Sequence, residues 1–227
     1  MRLLHGSAYT LLGVMTYVRH CGPFVLALAC FGASPALAAE VRPSCPVAIE
    51  DEYYFPSEVF DLISPKRDLF IRKWYSKHLR AMSEPSMSCG LSIGIETYRF
   101  LWLRTFDHPV SIRVDHSAEG TNLIAVELDG AGGYEPGGVL RNIQNSLSLD
   151  QWKSLTGAVA LSGFWTQPTS DPNDMGGLDG AEWIVEARRG PTYHLVDRWS
   201  PEGGEHRALG LFFLNLVKEW PMSGQLY

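Results

Sequence analysis

The 227-residue chain is 45% apolar and 19% charged, with 25 acidic against 19 basic residues and a net charge of −6. Such a composition excludes a disordered polymer and a protein built of long apolar spans. The acidic balance argues against nucleic acid as a partner, because phosphate binding needs a cationic surface.

The first segment reads as an export signal. The apolar run "FVLALACFGA" follows Arg19 and His20 and precedes "SPALAAE", where Ala36-Leu37-Ala38 has the small-x-small form that signal peptidase requires. Residues 1–38 are therefore expected to be removed, with Met15 as an alternative start. A lipoprotein reading through Cys30 is the less favoured alternative, because Ala27 stands where such signals carry Leu, Val or Ile. Removal takes away Arg2 and Arg19 but no acid, and moves the net charge from −6 to −8. Two cysteines remain, Cys45 and Cys89, and an even count in an exported chain predicts a disulfide. Closing that loop would stabilise the fold by roughly 3–4 kcal/mol on the chain-entropy view. The expected localisation is periplasmic or secreted, with no transmembrane segment in the processed chain.

Residues 39–56 read as irregular and residues 57–227 as one domain. Ser57 is expected to cap a short helix that Pro65 interrupts. From Pro65 the apolar set Leu69, Phe70, Trp74 and Leu79 follows helical spacing. "SCGLSIGIE" then contains the G-x-S-x-G spacing of a nucleophile elbow, at Gly90, Ser92 and Gly94. An elbow needs a buried strand before the serine and a helix after it. Here a Pro/Ser/Cys-rich connector precedes Ser92 and a strand follows, so Ser92 is not read as a nucleophile.

"ETYRFLWLRTF" alternates, with Tyr98, Phe100, Trp102, Arg104 and Phe106 on one face and Arg99, Leu101 and Leu103 on the other. "HPVSIRVDHS", the turn "AEGT" and "NLIAVELDG" continue an antiparallel meander. His108 and His116 are too far apart along their strand to bind one metal. The loop "DGAGGYEPGG" lacks the third glycine and following helix of a dinucleotide loop. It reads as a wide glycine turn that exposes Tyr134 and Glu135 as candidate ligand contacts. "VLRNIQNSLS" is expected to be a fourth strand. Ser148 and Gln151 form a capping-box pair ahead of "QWKSLTGAVALSGFW". The aromatic set Tyr98, Phe100, Trp102, Phe106, Phe164 and Trp165 reads as core.

"DPNDMGGLDGAE" approaches a calcium loop, with Asp171, Asn173, Asp179 and Glu182 at ligand positions around Gly176. Met175 stands at a ligand position and a strand follows, which counts against the cation. The hairpin "AEWIVEA", "RRGP", "TYHLVDRWS" carries the most organised polar pattern. With a loop at Arg189–Pro191, Glu186 lies opposite His194, and Arg188 and Arg198 share their face. That cluster is the candidate catalytic set, Glu186, His194 and Arg198, with Arg188 as a further ligand contact. Trp183, Val185, Tyr193, Leu195 and Trp199 then make the core face, interrupted by Asp197. A final apolar helix, "EHRALGLFFLNLVKEW", should cover the sheet.

The string "LDGAEWIVEARRGPTYHLVDRWSP", with "YRFLWLRTFDHPVSIRV" upstream, resembles a family of uncharacterised exported bacterial proteins over most of residues 93–216. The resemblance implies one domain there and carries no activity, cofactor or site residue. The expected fold class is α+β, a mainly antiparallel sheet of about six strands, a meander plus C-terminal hairpin, packed by helices. The leading functional reading is an exported binding or inhibitor-like module for an envelope protein or glycan, with a cationic partner favoured by charge. The alternatives are a small hydrolase or other enzyme using the Glu/His/Arg cluster and an assembly factor of the envelope.

Overall fold

The first strand, β1 (Glu96–Arg104), buries both of its faces. Alternation sends Tyr98, Phe100 and Trp102 to one side and Leu101 and Leu103 to the other, and all five are at most 2% exposed. A strand buried on both faces must lie mid-sheet between two covering layers. Five further strands provide the sheet: β2 (Val110–Ser117), β3 (Gly120–Leu128), β4 (Val139–Leu147), β5 (Ala181–Arg189) and β6 (Thr192–Trp199). Their order is β4-β3-β2-β1-β5-β6, and every neighbouring pair is antiparallel. The computed structural model describes residues 53–89, 94–171, 176–177, 179–220, 224 and 226–227. These belong to one compact unit, Val41–Tyr227. The expected signal segment, Met15, Cys30, Cys45, Ser92 and Asn173 lie outside the described residues. No helix among the described residues is long and apolar enough to cross a membrane.

Three helices cover the sheet, α1 (Pro65–Ala81), α2 (Leu149–Leu161) and α3 (Gly204–Leu216). On the aromatic face, Trp152, Leu155 and Val159 of α2 and Leu209 and Phe213 of α3 pack on Tyr98, Phe100, Trp102, Val185 and Val196. The Phe100 and Phe213 rings stack at 5.9 Å. On the other face, Tyr75 and Leu79 of α1 join Phe55, Phe60, Leu101, Leu103, Ile184 and Leu195. The α+β class, the meander and the added hairpin are as expected from the strand patterns. The Ser148–Gln151 capping box also forms in both directions, at 2.8 and 3.2 Å.

The N-terminal helix departs from expectation. No helix starts at Ser57. Ser64 caps α1, with Pro65 in its first turn. The preceding segment is ordered instead by Asp68, whose carboxylate accepts from the Glu58 and Phe60 amides at 3.0 and 3.1 Å and from Arg72 at 2.7 Å. Burial alone would raise the Asp68 pKa, but these donors hold it below the ordinary value. Leu69 and Phe70 are 37% and 65% exposed, while Tyr75, Ser76, His78 and Leu79 face inward. The apolar spacing alone placed the buried face one flank away. Polar anchors on Tyr75 and Trp74 turn the helix, as Trp74 Nε1 donates to the Gly132 carbonyl at 2.8 Å.

The hairpin register also differs. Arg189 pairs with Thr192, which leaves a two-residue loop, Gly190–Pro191, with Gly190 at φ +56°. Glycine first and proline second suits the tight II′ turn better than a three-residue loop. A one-residue shift moves every side chain of one strand to the other face. Glu186 therefore faces Leu195, with Tyr193 and Asp197 on its side, while His194 and Arg198 join Trp183 on the aromatic side.

A charged network is enclosed between β1 and the connector after α1. Arg99, fully buried, donates from Nε to Glu186 at 2.9 Å and from Nη1 to the Pro85 carbonyl at 2.7 Å and to Glu84 at 3.3 Å. Glu84 also accepts from Arg113 at 2.8 Å, and Arg113 pairs with Asp115. Tyr193 donates to the second Glu186 oxygen at 2.7 Å. Arg188 holds the Met87 and Ser88 carbonyls at 3.2 and 3.0 Å. Burial would lower the Arg99 pKa, yet the two facing carboxylates raise it, so the group stays charged.

Arg99→Met should therefore cost about 3–5 kcal/mol, because two buried carboxylates lose their partner. Lys77→Ala removes an exposed pair with Glu135, 3.1 Å long, and should cost less than about 1 kcal/mol. Urea unfolding of both variants checks this, and similar losses would refute the network as the central constraint.

Candidate functional site

The corner between β6 and α3, Ser200-Pro201-Glu202, separates two cavities of about 820 and 650 Å³. The corner itself is held in a rare backbone state. Ser200 has φ +37°, unusual for a residue with a Cβ. Its amide donates to the Ala181 carbonyl and its Oγ accepts from the Ala181 amide, both at 2.7 Å. Sparsely populated backbone conformations persist where surroundings over-determine them, and they cluster at binding sites.

The larger cavity is lined by Asp107, Asp179, Glu202 and Arg207, with Phe106 and Tyr227 as its rings, and the buried Arg104 guanidinium stands 4.0 Å from Asp107. Arg207 is already engaged, donating to the Pro201 carbonyl at 2.8 Å and lying 5.1 Å from the Trp183 ring centre. Asp179 and Glu202 are exposed. Phe106, expected in the core, is 60% exposed and lies 6.1 Å from the Tyr134 ring, itself 57% exposed. The Thr105 amide still reaches the Gly180 carbonyl at 2.8 Å, and Phe106 lies beyond that last contact with the β5 side. An excess of carboxylates beside aromatic faces is the chemistry that recognises an organic cation.

Tyr134 and Glu135 lie on the loop that reaches this rim, with Glu135 bridged to Lys77. Glycine serves close approach there. A Cβ on Gly132 would meet the Arg104 backbone at 2.6 Å.

The smaller cavity is lined by His206, Arg198, Trp199, Asp171, Gln167 and Glu205, among others. His206 is buried and its Nε2–H donates to the Trp183 carbonyl at 2.7 Å, which leaves Nδ1 as an acceptor with no partner. Burial pushes its pKa down to about 4, against the raising effect of the carbonyl. Arg198 is engaged by the chain itself. It donates to the Thr169 and Pro168 carbonyls at 2.9 and 3.0 Å and to Gln167 Oε1 at 3.3 Å.

The structure does not bring Glu186, His194 and Arg198 together. Glu186 faces α1 and is saturated by Arg99 and Tyr193. His194 lies on the opposite face, bonded through Nε2 to the Gln167 carbonyl at 3.0 Å and packed on Phe164 at 5.0 Å. Burial lowers its pKa. Arg188 grips the connector rather than a surface. The calcium spacing is split as well. Asp179 lines the larger cavity and Asp171 the smaller, while Glu182 sits on β5 close to the Tyr75 hydroxyl. Among the described residues, no cluster of His, Cys, Asp and Glu could hold a metal ion. His108 meets Glu127 at 3.1 Å, and His116 stacks on Trp152 at 4.3 Å. Cys89 is half-buried after the connector that Arg188 holds.

Sequence reasoning missed Asp107, Glu202, Arg207 and His206. The only local signals were the corners "FDHP" and "WSPEGG", where charge follows an aromatic at the end of a strand. No protein-family profile matches the chain, and no curated protein matches its sequence.

The His206 environment predicts a pH dependence. Unfolded, its imidazole takes a proton below about 6.5, whereas the folded ring resists until about 4. Stability should hold above that window and fall by about 3 kcal/mol as pH drops through it. His206→Gln keeps a donor for the Trp183 carbonyl and should lack that component of the loss. Urea unfolding across the window, in both proteins, reads the difference. Parallel curves would refute it.

Proposed function

We propose that the protein is an exported binding module of the bacterial envelope that receives a cationic side chain of a partner protein in the larger cavity. One observation carries this reading. The cavity presents the exposed Asp179 and Glu202 beside Arg207, which is already engaged, while Asp107 is paired with the buried Arg104. The exposed Phe106 and Tyr134 rings extend the contact beyond it and suit an alkylammonium or guanidinium stem. The signal-like N-terminus and the acidic chain agree with a role in the envelope. The enzyme alternative drew on Glu186, His194 and Arg198, and their separation across the sheet removes that support.

Hexalysine titrated into the purified protein, followed by calorimetry, is the direct test, with hexaglutamate as the control. Hexalysine should bind and weaken as salt rises, while hexaglutamate should not bind. Asp179→Asn with Glu202→Gln should weaken hexalysine about tenfold, near 1.4 kcal/mol. Equal binding to the variant, or none to the wild type, would overturn the assignment.

A further inference from the structure

The two edges of the sheet are treated differently. The β6 edge is closed by residues 167–169. The Asp197 amide donates to the Thr169 carbonyl at 2.7 Å, and His194 and Arg198 hold the Gln167, Pro168 and Thr169 carbonyls. At the other end, β4 pairs with β3 alone among the described residues. Six of its nine residues are exposed and none is buried. An edge strand with free amides and carbonyls is a template for pairing, and proteins usually block it with Lys, Pro or acidic residues.

β4 carries no Lys, Pro or carboxylate, and only Arg141 and the irregularity at Glu127/Leu128 interrupt it. It is the one strand of the six without a carboxylate, since β1 has Glu96, β2 Asp115, β3 Glu127, β5 Glu186 and β6 Asp197. Its single charge, Arg141, lies 3.7 Å from the buried Glu127. No carboxylate along β4 would repel a second copy of this acidic chain there.

The pattern of the strand is also self-complementary. A register irregularity at Glu127/Leu128 leaves Arg141–Leu147 as the regular stretch, with Gln144 at its centre. A twofold axis at Gln144 places Gln144 against its own copy, Asn142 against Ser146, and Arg141 against the aliphatic Leu147. No like charges oppose each other. The exposed Val139 and Leu140 precede that stretch and the exposed Leu149 follows it, so the same axis sets apolar ends of one copy against those of the other. We propose that the protein forms a symmetric dimer through antiparallel β4–β4 pairing about Gln144, which joins the two sheets into one.

Sedimentation of the purified protein should give twice the mass of the chain. Gln144 is exposed, so its replacement should leave the fold intact, checked by circular dichroism. Gln144→Lys places two ammonium groups face to face, and Gln144→Glu two carboxylates. Each variant alone should sediment at half the wild-type mass, and an equimolar mixture should regain the dimer mass. A monomeric wild type would overturn the proposal. So would a Gln144→Lys protein that stays dimeric, or a mixture that fails to reassociate.

Discussion

The buried Arg99 guanidinium constrains more of this molecule than any other group. It sits in the central strand with carboxylates from β5 and from the connector around it, and Arg113 of β2 reaches the same Glu84. Removing a guanidinium from water is tolerable only where partners neutralise and hydrogen-bond it. A one-residue slip of β1 would carry Arg99 to the aromatic face, toward Trp183 and Phe213, where no carboxylate lies in the core. The β1–β5 register is thereby set. Tyr193 must then share the Glu186 side to reach its oxygen, which sets the β5–β6 register as well. The consequence runs to the edges of the sheet. With Tyr193 inward toward α1, His194 and Arg198 fall on the other side, where they fasten residues 167–169 along β6. One buried ion pair thus accounts for which edge is closed.

Local pattern made much of this fold legible. Strand alternation identified the meander, and a serine with a glutamine three residues on identified the start of α2. Each depends on neighbours in sequence. The hairpin register did not yield to the same reasoning, because "RRGP" accommodates a two- or three-residue loop. The decision comes from Arg99, 87 residues away from Glu186. The face of α1 was misread for a related reason. Leu69 and Phe70 satisfy helical spacing, but Tyr75 is drawn inward by Asp197, 122 residues away. Polar anchoring across the sheet outweighed the count of apolar residues.

The candidate cavity was less legible still. Asp107, Asp179 and Glu202 come from three corners, and no spacing rule links them. Acidic residues at strand ends are ordinary turn chemistry when viewed singly. The sheet makes them a site, because antiparallel order brings the β1–β2 corner, the approach to β5 and the β6–α3 corner to one end. Phe106 was assigned to the core by extrapolating the β1 alternation two residues beyond its last ladder partner. Its exposure belongs to the corner, not the strand.

Charge placement connects the two surfaces. The chain is acidic as a whole, yet its carboxylates are unevenly distributed. Glu202 and Glu205 lie at the start of α3, whose N-cap Gly203 offers no side chain to the free amides. Negative charge is favoured at that end of a helix. The same dipole opposes the field that Glu202 presents to a cation and Arg104 neutralises Asp107, so discrimination in the cleft shifts toward Asp179. β4, by contrast, holds no acid at all. Two such chains meet no carboxylate along that strand. A cationic partner and a second copy are therefore directed to different surfaces, the corner cavity and the β4 edge.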